Sequence, residues 1–68
     1  MSTWIGTPPK ACDLCKLPII LTFTDGATRA GPWAIMCGDC HSRYGVGLGT
    51  GRGQRYTWVN GHFEKTAG

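Results

Sequence analysis

All four cysteines of this 68-residue chain lie in two Cys-x-x-Cys pairs, Cys12/Cys15 and Cys37/Cys40, with 21 residues between the pairs. Each pair can direct two sulfurs at one ion, and two pairs complete a tetrahedral site with Zn–S distances of about 2.3 Å. Because four thiolates leave no coordination position for an activated water, the spacing predicts one structural zinc ion rather than a catalytic one.

Three other chemistries fit parts of the same cysteine pattern. The run Cys37-Gly-Asp-Cys40-His41 matches the attachment sequence for c-type haem, which would leave the first pair without a role. A thioredoxin-like redox pair would need a βαβ unit, and two disulfides would need an exported chain. His41 is also a candidate to replace one cysteine as a zinc ligand. Zinc held by the four cysteines is the leading hypothesis.

The polar residues outside the cysteine pairs form no catalytic pattern. His62-Phe-Glu64 resembles half of the zinc deaminase signature, but it follows the Cys-x-x-Cys pairs instead of preceding them, and Met36 stands where that signature has proline. His41, Asn60 and His62 do not form the motif of an HNH-type nuclease. The sequence therefore predicts a protein that is not an enzyme and has no small-molecule substrate.

Turn and capping signals predict the elements that position the cysteines. Residues 19–24 and 28–36 flank Asp25-Gly26, which predicts a β-hairpin that returns Cys37 to the side of Cys15. Gly38–Tyr44 is predicted to form a short helix, with Asp39 in its first turn and Gly45 at its end. The hairpin and the helix would place the second pair beside the first.

A second hairpin is predicted over residues 55–65, around Asn60-Gly61, the dipeptide most typical of a type I′ turn. This turn sets a register with four cross-strand pairs: Trp58/Phe63 and Tyr56/Lys65 on one face, Val59/His62 and Thr57/Glu64 on the other. The predicted core consists of large apolar residues from both hairpins: Phe23, Trp33, Ile35, Trp58 and Phe63.

Glycine alternates without a miss at positions 45, 47, 49, 51 and 53, in a stretch that matches no nucleotide-binding fingerprint. In an extended backbone, this alternation would leave one face bare and place Val46, Leu48, Thr50 and Arg52 on the other. A bare face permits close approach of a phosphate backbone or of another part of the fold. The stretch is therefore either a backbone-lined groove for nucleic acid, or else a flexible loop or a strand packed tightly against the zinc core.

Charge and size bound the possible partners. The formal net charge is +3, but four thiolates and one divalent ion would lower it to +1, so basicity alone is weak evidence for nucleic acid. No run is apolar enough to cross a membrane, and the first residues lack the charge and hydrophobicity of an export signal. We expect a cytoplasmic protein with no membrane contact, organised as an arm (1–11) and a single zinc-finger domain (12–65).

The order of knuckle, hairpin and second knuckle resembles a treble-clef zinc finger, as in GATA-like and LIM-like modules. Cys12-Asp-Leu-Cys15, the Asp25-Gly26 hairpin and the segment from Cys37 to Tyr44 carry this resemblance. It implies a small α+β fold; a zinc ribbon is the alternative. The stretch from Gly45 to Gln54 is similar to small uncharacterised proteins of bacteriophage and prophage genomes, which implies a phage accessory protein.

Two kinds of partner fit the sequence. Between Cys40 and Phe63 there is no acidic residue, so nucleic acid would be bound by Arg43, Arg52, Arg55, Tyr56 and the glycine-rich backbone. The alternative is a small adaptor or inhibitor that binds a protein through the exposed aromatic residues Trp4, Trp33 and Tyr56. An exposed aromatic patch would favour a protein partner, and a contiguous arginine face would favour nucleic acid.

Overall fold

The computed structural model describes residues 3–68, and over this range the chain forms one four-stranded antiparallel sheet and one short helix. The elements, in chain order, are β1 (Thr22–Ala27), β2 (Trp33–Met36), α1 (Gly38–Tyr44), β3 (Gly53–Val59) and β4 (His62–Ala67). The strands lie side by side in the order β2-β1-β3-β4, and neighbours are antiparallel. The small α+β class predicted from the sequence is confirmed.

The first hairpin lies between the two cysteine pairs, but its turn is not at Asp25-Gly26. Both residues lie inside β1, where Gly26 pairs with Ala34 of β2 and with Gly53 of β3. A Cβ atom on Gly26 would come within 2.7 Å of the Arg52 carbonyl oxygen and 2.9 Å of the Gly53 Cα. Gly26 is therefore explained by the close approach of β3, and the predicted turn position was wrong.

The chain reverses instead between β1 and β2, around Gly31 and Pro32. The backbone N–H and the hydroxyl of Thr28 both donate to the Pro32 carbonyl, at 3.0 and 2.9 Å. The Gly31 N–H donates in turn to the Thr28 carbonyl at 2.9 Å. These bonds satisfy the backbone polar groups of a turn that begins where β1 leaves the sheet.

The second hairpin has the predicted turn and register. Asn60 and Gly61 both have positive φ, 50° and 87°, as a type I′ turn requires. The four predicted cross-strand pairs are all observed: Trp58/Phe63, Tyr56/Lys65, Val59/His62 and Thr57/Glu64. The strands run beyond the predicted range, to Gly53 and Ala67, after a register shift beside Arg55.

The helix α1 has the predicted bounds and ends. The Cys37 side chain caps the N-terminus, because its Sγ accepts from the Cys40 N–H at 3.5 Å, and Asp39 lies in the first turn. At the other end the Gly45 N–H donates to the His41 carbonyl at 2.9 Å. Gly45 has φ −77°, and a Cβ there would approach the same carbonyl oxygen to 2.7 Å. Lack of space explains this glycine.

The predicted core is right in part. Phe23 and Phe63 are buried, and Met36 is fully buried with the two cysteines Cys12 and Cys40. Trp33 and Trp58, by contrast, are 51% and 43% exposed, so placing them in the core was wrong. Trp33 pairs with Ala27 at the end of an edge strand, where no further element covers it.

Five rings make up what we call the aromatic cluster: Trp4, Phe23, Tyr56, Trp58 and Phe63. Phe23 is at its centre, stacked on Tyr56 at 5.2 Å between ring centroids and edge-on to Trp4 and Phe63 at 5.2 and 4.8 Å. The backbone N–H of Trp4 donates to the Phe63 carbonyl at 2.9 Å, and this bond holds the start of the chain along β4. Trp4 is thus packed against the sheet.

The glycine-rich stretch is a loop and not an extended strand. Gly47, Gly49 and Gly51 have φ values of 103°, 121° and 77°, which an alternating bare-faced strand would not show. The N–H groups of Arg52 and Gly53 both donate to the Gly49 carbonyl at 3.0 Å. This turn places Gly53 at the start of β3, opposite Gly26. Of the two forms predicted for the stretch, a loop or a strand, the structure therefore has the loop.

Candidate metal centre

The four cysteines form one group, which we call the thiol cluster, in which all Sγ atoms lie within 4.8 Å of one another. Cys15 Sγ and Cys37 Sγ, from different pairs, are 3.7 Å apart. A tetrahedral zinc ion with four thiolate ligands requires S–S separations of about 3.8 Å. Cys12 and Cys40 are buried, Cys37 is half-buried and Cys15 is exposed. The cluster therefore has the ligand type, number and spacing to hold one metal ion.

The first knuckle is a tight turn closed by its own backbone. The Lys16 N–H donates to the Cys12 carbonyl at 3.0 Å, and the Cys12 N–H donates to the Leu17 carbonyl at 2.9 Å. Lys16 takes positive φ, 65°, to complete the reversal. These bonds fix the directions in which the side chains of Cys12 and Cys15 point.

Asp13 joins this knuckle to the sheet. Its N–H donates to the Ile35 carbonyl at 2.8 Å, and its Oδ2 accepts from the Ile35 N–H at 2.9 Å. Both outward-facing backbone groups of Ile35 on the edge strand β2 are thereby satisfied. Sequence reasoning missed this role, because a carboxylate inside a Cys-x-x-Cys turn gives no indication of which distant strand it contacts.

The electrostatics of the thiol cluster favour a bound cation. Burial alone would raise the pKa of Cys12, but the backbone N–H groups of Cys15, Cys37 and Leu14 outweigh it and lower that pKa to about 6. Burial raises the pKa of Cys40, and the neighbouring thiols raise it further. Because like charges this close disfavour one another, four thiolates coexist here only with a compensating positive ion.

Beneath the thiol cluster lies the fully buried Met36, which with Cys12 and Cys40 forms the core of this end of the molecule. Ala34 and Cys37 pack against the same group. Met36 belongs to β2, directly before the second cysteine pair, so the strand delivers both a core side chain and the first ligand of that pair. The metal centre and the small core around it are built as one unit.

His41 lies outside the group of four ligand atoms. Its Nε2 is 3.0 Å from the Gly47 carbonyl oxygen, and since a carbonyl oxygen only accepts, Nε2 donates. The imidazole also fills the space that a side chain on Gly45 would need. His41 therefore links the helix α1 to the glycine-rich loop, a role that sequence reasoning missed; the only signal was that glycines follow it four and six residues later.

The residues predicted to bind nucleic acid do not all share one surface. Arg43, Arg52 and Arg55 are exposed, and Arg43 forms an ion pair with Asp39 at 3.5 Å. Tyr56 follows Arg55 on β3, so the two side chains point to opposite faces of the sheet. Tyr56 is stacked on Phe23 inside the aromatic cluster, which separates it from the arginine that precedes it.

Nine large apolar side chains are exposed on the surface of the described range. Those at least 40% exposed are Ile5, Leu14, Leu17, Ile20, Leu21, Trp33, Tyr44, Val46 and Trp58. A groove of about 390 Å³ runs between the Pro8-Pro9 segment and the second hairpin, with Ile19, Ile20 and Trp58 among its lining residues. Leu17, Ile20 and Leu21 belong to the segment between the first knuckle and β1.

Comparison of the chain with protein-family models, with curated proteins and with solved structures gave no match. Within residues 3–68 no helix has the length and hydrophobicity needed to span a membrane. What the geometry itself establishes is a small α+β domain in which four cysteines are positioned to bind one metal ion.

Proposed function

We propose that this chain is a non-catalytic binding module whose fold is held by one structural zinc ion. The observation that carries the proposal is the convergence of four thiol sulfurs within 4.8 Å of one another. An all-sulfur tetrahedral set is typical of Zn²⁺, and it has no position for a reacting water. The three alternative uses of the cysteines, which are haem attachment, a redox pair and paired disulfides, do not require all four in one group.

The arrangement around the thiol cluster supports a treble-clef reading. A first knuckle is followed by a β-hairpin, and the second knuckle opens α1 at Gly38. A zinc ribbon would have hairpins at both knuckles, whereas here Cys37 caps a helix. Since the thiols must stay reduced to bind the ion, the proposal places the protein in a reducing compartment such as the cytoplasm.

Metal analysis tests the zinc proposal. We expect one zinc ion per chain by native mass spectrometry, and thiolate-to-metal charge-transfer bands when Co²⁺ is substituted. Cys40→Ser should lose both, and Ser42→Ala, two residues away on the same helix, should keep both. A protein that kept its native near-ultraviolet circular dichroism after complete metal removal would contradict a structural role for the ion.

A protein partner is the better supported target of the module. Large contiguous apolar patches are uncommon on the surface of monomeric proteins and mark interaction sites. Here Ile20 and Leu21, 76% and 61% exposed, lie next to each other on the chain, and Ile20 shares a groove with Trp58. Exposed aromatic and aliphatic residues of this kind are typical of contact sites between proteins.

Nucleic acid is the second candidate, favoured by the exposure of Arg43, Arg52 and Arg55 and by the open glycine-rich loop. The stacking of Tyr56 on Phe23 removes one of the predicted contacts. The resemblance to small phage proteins is compatible with either a protein or a nucleic acid as the partner. The two candidates differ in their salt dependence, because phosphate contacts release counterions.

Two binding assays separate these candidates. Nucleic-acid binding is tested by fluorescence anisotropy with labelled single- and double-stranded DNA and RNA, at low and at physiological salt. The double variant Arg52→Gln/Arg55→Gln should reduce the dependence of the binding constant on salt concentration. Lys10→Gln/Lys16→Gln is the charge-matched control. Absence of binding even at low salt would reject nucleic acid. Protein binding is tested by selecting peptides from a random library on the zinc-loaded protein. Failure to enrich any peptide would count against a protein partner.

A further inference from the structure

A cleft of about 440 Å³ lies beside the metal centre and is lined by Leu14, Thr28, Arg29, Ala30 and Tyr44. These residues come from three separate segments: the first knuckle, the turn between β1 and β2, and the last position of α1. Leu14 lies between two cysteines of the thiol cluster, and Tyr44 ends the helix that the other two begin. The cleft therefore exists only when both knuckles are brought together.

Arg29 is the charged residue of this cleft, and the backbone holds it in place. Its N–H donates to the Tyr44 carbonyl at 2.7 Å, and its Nε approaches the Gly45 carbonyl at 3.4 Å. Within residues 3–68 no carboxylate lies within ion-pair distance of Arg29, in contrast to Arg43, which is paired with Asp39. The terminal N–H groups of the guanidinium are thus available to a ligand.

The rest of the cleft is apolar or already satisfied. Leu14 and Tyr44 are 41% and 50% exposed, and Ala30 adds a methyl group. The hydroxyl of Thr28 is occupied by its bond to the Pro32 carbonyl. One unpaired cation framed by aliphatic and aromatic surface is complementary to one negative charge beside an apolar group.

We propose that this cleft binds a segment of a partner protein in which an aspartate or glutamate neighbours an aliphatic or aromatic side chain. The carboxylate pairs with Arg29, in the bidentate geometry that arginine offers, and the apolar neighbour packs on Leu14 and Tyr44. A phosphate group carries about two negative charges at neutral pH, whereas Arg29 is the one cation among the described residues that line the cleft, so its charge matches that of a carboxylate. The inference rests on the proposed protein-binding function and adds, to the apolar groove at Ile20 and Trp58, a second contact site with its own partner chemistry.

The test uses peptides selected on the zinc-loaded full chain, with dissociation constants then measured by calorimetry. We expect the enriched peptides to share an acidic residue beside an apolar one. Arg29→Gln should weaken them by about 10- to 100-fold, the range for a lost charge-assisted hydrogen bond. Arg43→Gln, the matched arginine control on α1, should change binding less than about twofold, since its charge is already paired.

A charge reversal keeps the test independent of misfolding. Peptides with lysine in place of the acidic residue should bind Arg29→Glu better than they bind the wild-type protein, and Co²⁺ spectra should show that each variant retains its metal centre. Enriched peptides that bound wild type and Arg29→Gln equally would overturn the cleft assignment and leave protein binding intact. A selection that enriched nothing would overturn both, and Arg29-dependent binding of DNA or RNA in place of peptides would overturn the partner chemistry.

Discussion

The thiol cluster and the aromatic cluster are two stabilising centres of different kinds in one small sheet. The thiol cluster gathers four ligands from two knuckles around Met36, and its four sulfurs repel one another as thiolates unless an ion binds them. The aromatic cluster gathers rings from the chain start, β1, β3 and β4 around Phe23, and it needs no cofactor. The thiol cluster thus depends on metal coordination for its stability, whereas the aromatic cluster depends on the area of contact between its rings.

Strand β1 belongs to both centres. Phe23 is the central ring of the aromatic cluster, and the next residue, Thr24, is buried and pairs with Met36 of the thiol end. Adjacent residues of a strand face opposite sides of the sheet, so a single strand supports one centre on each face. We therefore expect a change that destabilises either centre to destabilise the other as well.

Metal removal should have the largest effect. Structural zinc contributes about 10–16 kcal/mol of apparent binding free energy in small zinc-finger peptides, whereas a core in a chain this short supplies about 3–5 kcal/mol. Chelation should therefore unfold both centres together, as seen by near-ultraviolet circular dichroism and by NMR spectra of the indole N–H groups. An aromatic cluster that kept its signal without metal would show that the two centres are independent and would contradict a structural role for the ion.

Phe23→Ala should come second, with a loss of about 3–5 kcal/mol from the free energy of unfolding of the zinc-loaded protein. Phe23 is fully buried and touches three other rings of the aromatic cluster, so truncation leaves a cavity that its neighbours cannot fill. Denaturant unfolding measures the loss. Phe23→Leu, which keeps most of the volume, should cost clearly less; an equal cost would mean that the ring contacts matter more than the cavity.

Gly26→Ala should destabilise the sheet by about 1–3 kcal/mol, the usual range for overpacking. The added methyl would meet the backbone of Arg52 and Gly53, which cannot rotate away as a side chain can. Gly38→Ala is the matched control, since a Cβ there meets nothing within 4 Å and alanine favours a helix. Thermal unfolding of the two variants checks this, and similar melting temperatures would contradict the close approach of β1 and β3.

Gly26 also shows which features of the fold cannot be predicted from local sequence. The helix Gly38–Tyr44 and the Asn60-Gly61 hairpin depend on residues a few positions apart, and both predictions are confirmed. Each Cys-x-x-Cys pair is local in the same way, and the four cysteines lie close enough together to hold one metal ion. Asp25-Gly26 resembles a turn locally but is a strand because Gly53, 27 residues later, packs against it. The cleft around Arg29 was equally hidden, since its walls come from three segments whose proximity no local pattern encodes.

A smaller effect than that of Gly26→Ala should come from Asp13→Ala, which removes the acceptor of the Ile35 N–H. We expect a loss of about 0.5–1.5 kcal/mol, the net value of one hydrogen bond, measured as the urea midpoint of the zinc-loaded protein. Asp39→Ala, which removes an exposed carboxylate whose partner is Arg43, should cost about 0–1 kcal/mol. A larger loss for Asp39 than for Asp13 would contradict the importance of the link between the first knuckle and the sheet.

That link also has a consequence for solubility. An edge strand with open N–H and C=O groups is a template on which another chain can add a strand, the usual route to aggregates. Asp13 occupies both outward-facing groups of Ile35 on β2, and it can do so only while the first knuckle is folded. A metal ion that keeps this knuckle folded would thereby protect the sheet from self-association, and we expect chains without the ion to precipitate.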